Sequence, residues 1–397
     1  MTQQTSNPFR VEIVSGSAPA WLVSAPLMTW HEIPNTVLNI AENRAAFGVS
    51  SPELGYVCAY SGGAWNGSKL YVQGGGHEDY TRGGTYGIDL ADDVPVWFEV
   101  GPPRAAGTTD QITLHGTEYQ GYYYPYDGAE DDRQNRFPVE SHTYWNLWFD
   151  APTNRLYRIT TGGAGTVNYS LYGGIPGSSN GVNALDVTAG KWDGKVYPDV
   201  PMEHTGSGTC CGMDEFRRIW RTGKGAADEN QLGVFDIETG TWQVFDGLTG
   251  TTFSDVAFFY DPSRQWMVRL RTGYSSSMVQ TFDVGPTWDG VSMPAFTART
   301  LSGDAASLVR SNTSIEYCAD RDSYLCMRYS TTDRAVYEIK VPANPADPWP
   351  VTVLDVAPPT HTVDLVRYYK RWHYSAEYGG IFWMPHAGSN IYFMRTR

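Results

Sequence analysis

The residues best placed to do chemistry follow an alternating apolar run that ends in three glycines. Tyr71-Val72-Gln73-Gly74-Gly75-Gly76 leads directly into His77-Glu78-Asp79-Tyr80-Thr81-Arg82. Imidazole, carboxylate, phenol and guanidinium follow one another closely there, and together they supply a base, an acid, metal ligands and an anion clamp. Glycines let the backbone turn tightly and approach a ligand or a neighbouring strand. A solvated hairpin tip draws on the same polar residues. What sets this loop apart is its place in a repeat.

The repeat is a short motif of apolar residues ending in an acid flanked by aliphatics. Its copies are Tyr86-Gly87-Ile88-Asp89-Leu90, Ala184-Leu185-Asp186-Val187, Val234-Phe235-Asp236-Ile237, Thr281-Phe282-Asp283-Val284 and Val336-Tyr337-Glu338-Ile339. Asn390-Ile391-Tyr392-Phe393-Met394 stands in the same place without the acid. The spacing of about 50 residues matches one four-stranded propeller blade. A tryptophan follows most copies (Trp97, Trp192, Trp242, Trp288, Trp349) and is expected on each outermost strand. Ahead of each copy come two strand-like runs joined by turn residues such as Asp261-Pro262-Ser263-Arg264 and Asp320-Arg321-Asp322.

The expected fold is therefore all-β: a β-propeller of four-stranded antiparallel blades over residues 1–397. Six blades are counted, with seven the alternative if the stretch between Asp89 and Asp186 hides another. Residues 104–140, Tyr-rich and then acidic, read instead as an inserted loop or lid over the central face. The last unit lacks an outer strand. Residues 28–34, which carry Trp30, are expected to supply it and close the ring.

Counting antiparallel strands sets the geometry of the site. The innermost strand of a blade starts on the face to which the loop between its second and third strands returns. The His77 loop thus shares a face with Ser141-His142-Thr143-Tyr144, Thr209-Cys210-Cys211-Gly212, Arg371-Trp372-His373-Tyr374 and Pro385-His386-Ala387-Gly388. His77, His142, His373 and His386, with Asp79, Tyr80, Arg82, Tyr144 and Arg371, are expected to converge near the central opening. Arg158 lies on the second strand of the blade whose first strand carries Tyr144, which makes the two cross-strand neighbours. His77, Asp79 and His142 also form a ligand set for a divalent ion, zinc or calcium.

Composition narrows the partners. A net charge of −14 argues against a nucleic-acid backbone, and no apolar run has the length of a membrane span. Positive charge is mostly arginine, the better carboxylate clamp. Five cysteines are too few for a disulfide framework. Cys318 and Cys326 either face each other across a hairpin or stand as buried thiols, and Cys210-Cys211 is a candidate vicinal disulfide. Met1-Thr2-Gln3-Gln4 opens no signal peptide, so a secreted, extracellular protein is expected with its leader removed or with another export route.

The GGGH-x-D-Y loop and the strand after it resemble the kelch-type propellers related to the central domain of galactose oxidase. A closer similarity is to the propeller-shaped ulvan lyases, polysaccharide lyases that cut uronic-acid-containing chains. That family places a His in one blade, a Tyr on the first strand of the next and an Arg on that blade's second strand. The resemblance puts these roles on His77, Tyr144 and Arg158, and implies a glycan substrate cut by β-elimination. The chemistry suits the residues. Removing the proton α to a uronate carboxylate requires that carboxylate to be neutralised, which Arg158 can do. Tyrosine becomes a base when cationic neighbours favour its phenolate, so Tyr144 is assigned as base and acid with His77 as its partner. His77, His142, Tyr144 and Arg158 form the candidate catalytic set. Asp79, Tyr80, Arg82, Arg371, His373 and His386 form the substrate-binding set. A non-catalytic glycan-binding or structural propeller, and a metal-dependent hydrolase or oxidase, are the competing expectations.

Overall fold

Short alternating strands with buried inner ends leave this chain one way to cover its apolar faces, which is blade against blade. A computed structural model describes residues 18–38, 62–73, 85–101, 112–114, 117–119, 143, 145–159, 182–192, 211–222, 231–248, 256–272, 277–285, 288–308, 313–329, 334–360 and 370–397. Six antiparallel sheets form the ring. From the axis outward, the first blade is Gly63–Trp65, Lys69–Gln73, Thr85–Asp89 and Trp97–Gly101. The second is Leu147–Asp150, Arg155–Ile159, Val182–Asp186 and Lys191–Trp192, and the third is Cys211–Met213, Arg218–Thr222, Gln231–Asp236 and Thr241–Asp246. The fourth is Val256–Asp261, Trp266–Thr272, Ser277–Asp283 and Phe296–Arg299. The fifth, Thr313–Cys318, Ser323–Tyr329, Arg334–Lys340 and Trp349–Leu354, gains Leu301–Gly303 as a parallel strand at its rim.

The sixth blade takes Trp372–Ser375, Gly380–Trp383 and Ile391–Arg395 from the end of the chain and Trp30–Ile33 from its beginning. Trp30 pairs with Met394 and Ile33 with Ile391, which closes the ring. The Trp30 indole packs against Trp372 and Trp383. Within 104–140 the described residues form one hairpin, Ile112–Leu114 with Thr117–Tyr119.

The apolar layers lie between neighbouring blades. Tyr71 and Leu156 meet between the first and second, Trp148 and Phe235 between the second and third. Leu325 and Trp372 meet between the fifth and sixth, and Trp21 and Val72 between the sixth and first.

Register refines the repeat. Asp89, Asp186, Asp236 and Asp283 pair with Lys69, Arg155, Arg218 and Trp266, the first residues of their second strands. In the fifth blade that place belongs to Lys340, opposite Ser323, so Glu338 sits two positions further in. There Glu338 accepts from Arg321 Nε at 2.8 Å and Ser323 Oγ at 2.8 Å. Trp288 also departs from expectation. An Asx turn at Asp289, which accepts from the amides of Val291 and Ser292, inserts a loop before the outer strand. Trp288 lies in that loop and packs on Trp220 of the third blade.

Turns between first and second strands repeat a left-handed residue: Asn154, Arg217, Gln265, Asp322 and Gly379. A non-glycine residue there costs about 1–2 kcal/mol. Several of these side chains reach the next blade. Arg217 makes a two-pronged contact with buried Asp150 at 2.8 and 2.9 Å, and Asp322 accepts from Arg264 NH2 at 2.9 Å. Asp261, fully buried, joins the fourth and fifth blades by accepting from Tyr324 Oη at 2.7 Å and Arg264 NH1 at 3.0 Å. Asp261→Ala leaves the buried Tyr324 hydroxyl without its acceptor and takes one of two carboxylates from Arg264, which keeps Asp322, so it is expected to cost about 2–3 kcal/mol, read as a lowered urea midpoint. Tyr324→Phe, which leaves the ion pair intact, should cost about 1 kcal/mol. Equal effects for the two would refute the junction as described.

Candidate functional site

Second strands carry a guanidinium at one repeated position. Arg158, Arg221 and Arg269 each lie three residues past the start of the second strand, opposite Asn183, Gly233 and Gln280 of the third. All three are buried, and Arg269 NH1 donates to Gln280 Oε1 at 2.8 Å. Val72, Cys326 and Trp383 take the same position in the other blades, where the strand packs as pure core. The three arginines pair on their other side with Leu147, Cys211 and Phe258 of the inner strands. They therefore stand toward the end of the ring at which inner strands begin.

Of the residues singled out from the sequence, Arg158, Arg371, His373 and His386 are described. His77, Asp79, Tyr80, Arg82, His142 and Tyr144 lie outside the described residues. Arg158 pairs with Leu147 across the sheet, and Tyr144, its expected cross-strand neighbour, lies outside the described residues. A turn precedes the inner strand. Asn146 N donates to the Thr143 carbonyl at 2.7 Å, and the Thr143 hydroxyl accepts from Gly62 N of the preceding segment at 2.7 Å. The inner strand starts only at Leu147.

Arg371 is buried and donates through NH1 to the Pro385 carbonyl at 2.8 Å, which ties the inner strand to the following loop. His386 in that loop accepts at Nδ1 from Gly388 N at 3.0 Å. His373 turns instead toward the fifth blade, with Nδ1 3.3 Å from Glu316 Oε1 and its ring stacked on Trp65.

At the axis lies a group that sequence reasoning passed over. Lys370 precedes the sixth inner strand and is 6% exposed. Its amine sits over the Trp148 ring of the second blade. Glu316 of the fifth blade and Cys211 of the third are close enough for their charges to act on it. The Lys370 chain thus crosses the ring. Burial drives its pKa well below the ordinary lysine value, and Glu316 and Cys211 offset part of that effect. Cys211 is a free thiol, so it is not in the vicinal disulfide considered above. Its Sγ–H donates to Asn146 Oδ1 at 2.8 Å, and burial raises its pKa to about 12 against the pull of Arg221 and Lys370. Cys318 and Cys326 are free and buried too, opposite Ser323 and Ile315 rather than each other.

A loop lysine ordinarily reads as solvated, which is why Lys370 escaped notice. The available signal was Glu316, an acid in the middle of an inner strand between Ile315 and Tyr317. Among the described residues no group of three His, Cys, Asp or Glu is arranged to hold a metal ion, and the set His77, Asp79 and His142 lies outside them. No described helix is long and apolar enough to cross a membrane.

Burial of Lys370 has a consequence for stability. Between its lowered folded pKa and the ordinary 10.5, the unfolded chain binds more protons than the folded one, so stability rises with pH across that window. Lys370→Met removes this penalty. The variant is expected to melt above the parent at pH 7, with the gap closing as pH approaches 10.5. A variant that melts lower than the parent at every pH would show that the amine is stabilising where it lies.

No protein-family model matches the sequence, and no curated protein does. Among solved structures the chain is similar to TolB from Acinetobacter baumannii at 10% identity and a TM-score of 0.43, over 89% of this chain and 67% of that one. It is similar to YCF48 from Cyanidioschyzon merolae at 9% identity and a TM-score of 0.43, over 84% and 81% of the two chains. A chain of the mitotic checkpoint complex matches at 10% identity and a TM-score of 0.46, over 97% and 98%. Likeness of this degree says nothing of activity.

Proposed function

We propose that this propeller is a polysaccharide lyase that cleaves a uronic-acid-containing glycan by β-elimination. The observation that carries the reading is the run of buried guanidinium groups Arg158, Arg221 and Arg269 in three consecutive blades of a chain whose net charge is −14. An acidic protein that gathers arginine at one end of its ring has a local preference for carboxylates. A buried guanidinium acts through its field, which a low dielectric weakens little. There it favours the carbanion-like state next to a uronate carboxylate. In this reading the Arg158 charge favours the phenolate of Tyr144, whose sequence neighbours Thr143 and Trp145 are buried.

In this reading Tyr144 takes the α proton and returns one to the leaving glycosidic oxygen. His77 acts as partner base or neutraliser, with His142 in the same set. Asp79, Tyr80, Arg82, Arg371, His373 and His386 hold the glycan. A substrate of this kind is met outside the cell.

The test is incubation with a panel of uronate polysaccharides while ultraviolet absorbance of the unsaturated product is followed. Growth of that absorbance, with matching chain shortening, is the expected result. Binding of a glycan with no unsaturated product would replace the lyase with a glycan-binding propeller. A requirement for added zinc or calcium would move His77, Asp79 and His142 to a metal site.

A further inference from the structure

We propose that Asn66-Gly67 is a site of self-modification, where the folded turn converts the asparagine to isoaspartate and aspartate and releases ammonia. The site is separate from the lyase reading and does not rest on it. It joins the first and second strands of the first blade, at the end of the ring opposite the starts of the inner strands. Its first support is that this turn breaks the repeat. Trp65 and Lys69 are separated by three residues, where the corresponding strands of the other five blades are separated by four. The other turns place a left-handed residue directly before the second strand. This one places Gly67, at φ 108°, two positions before it, and closes the turn with the Asn66 side chain.

The second support is the setting of the electrophile. Asn66 Oδ1 accepts from Lys69 N at 2.7 Å and from Ser68 N at 3.1 Å, while Nδ2 donates to the Tyr71 hydroxyl at 3.3 Å. Tyr71 is 1% exposed and stacks on Phe149, so the anchor for Nδ2 is itself fixed. The carboxamide is thus held from both ends. Two backbone amides aimed at one oxygen are the arrangement that stabilises an oxyanion, and a negative oxygen forms here when Cγ becomes tetrahedral.

The third support is the nucleophile. Among the described residues the Gly67 amide donates to nothing, while the Gly67 carbonyl accepts from Ser375 Oγ at 3.4 Å. A Cβ at Gly67 would meet no atom within 4 Å, so no side chain crowds a ring closing there. Asn66, Gly67 and Ser68 are half-buried, which admits hydroxide and water. The Gly67 nitrogen gives its proton to solvent base and forms a bond to Asn66 Cγ, and the carbonyl π pair moves to Oδ1. The pair then returns, the Cγ–Nδ2 bond breaks, and ammonia leaves with a solvent proton. A cyclic imide remains, which water opens. Cleavage at Cγ yields aspartate, and cleavage at the backbone carbonyl yields isoaspartate. One water is consumed and one ammonia released, with no oxidant or reductant. Isoaspartate adds a carbon to the backbone of the shortest of the six turns.

The experiment ages the full chain at mildly alkaline pH, folded and in guanidinium chloride. Peptide mass mapping and isoaspartate-specific methylation then follow Asn66-Gly67 and Asn180-Gly181, the two Asn-Gly pairs of the sequence. In the folded chain Asn66 is expected to convert ~10-fold faster than in denaturant, well short of the roughly 10²–10³ that one oxyanion donor supplies in an enzyme. The signal at this turn should vanish in Asn66→Gln, whose longer side chain closes a larger ring far more slowly, with melting temperature confirming that the variant is folded. A folded rate equal to or below the denatured rate would overturn the proposal, since the turn would then add nothing or protect its asparagine. So would conversion of Asn180 in the folded chain with Asn66 intact. None of these outcomes touches the polysaccharide assay, so the two readings fail separately.

Discussion

A protein lacking residues 1–37 is expected to lose several kcal/mol of stability and to populate open, self-associating rings. The segment does more than cap an edge. Trp30–Ile33 supplies the outer strand of the sixth blade. The Thr36 hydroxyl donates to the Ile33 carbonyl at 2.7 Å and accepts from Ile391 N at 2.7 Å, while Trp97 Nε1 of the first blade donates to the Thr36 carbonyl at 2.7 Å. One residue thus links both sides of the seam. Trp21 is buried against Tyr378, Phe382 and Phe393. Losing the burial of Trp21 and Ile33 alone costs about 1.5–3 kcal/mol each. That is a large share of the roughly 5–15 kcal/mol that holds a domain together. The measurements are the urea midpoint and the association state by light scattering. A synthetic peptide of residues 18–38 added in trans should restore both. An unchanged midpoint in the truncated protein would show that the seam is closed by something else.

That seam was legible because it was an arithmetic deficit: the last unit was one strand short, and a spare tryptophan stood near the beginning. Repeats are read well from sequence when a blade must bury both faces and alternation marks every strand. Register was less legible. Glu338 matched the motif but pairs two positions off, since its partners Arg321 and Ser323 belong to the turn and not to the strand pattern. Arg158 was found, but not its kinship with Arg221 and Arg269, which appears only when strands are aligned by pairing. Lys370 was missed altogether. Its amine lies over Trp148 of the second blade and within electrostatic reach of groups on the third and fifth, and no local pattern announces neighbours across a ring.

Tyr144→Phe is expected to lower turnover on the cleaved polysaccharide by about 10²–10⁴-fold, the range for a general acid–base group. The substitution keeps the aromatic ring and removes only the titrating oxygen. Melting temperature should therefore stay close to the parent's. Arg158→Ala should also damage turnover. Because Arg158 is fully buried, it should lower stability too, and Arg158→Lys should recover part of both. The informative readout is the pH profile. Loss of the Arg158 charge makes the phenolate harder to form, so any residual activity should shift to higher pH. A folded Tyr144→Phe protein with undiminished product formation would end the assignment. An Arg158→Lys protein with the parent profile would restrict the guanidinium to holding the blade together.

The pairing of Ile391 with Thr36 spans 355 residues and has a consequence during biosynthesis. The strand that completes the sixth blade leaves the ribosome some 355 residues ahead of its partner. At cellular elongation rates of about 5–20 residues per second it waits roughly 18–71 s for that partner. Throughout that interval a nascent chain carries an unmatched β-segment with exposed tryptophans, and on a crowded polysome other growing copies offer the same complement. Folding is thereby committed to a late, non-local step, the kind that slows a chain most. The chaperone demand of this protein should fall on the strand Trp30–Ile33 rather than on the strands between it and its partner.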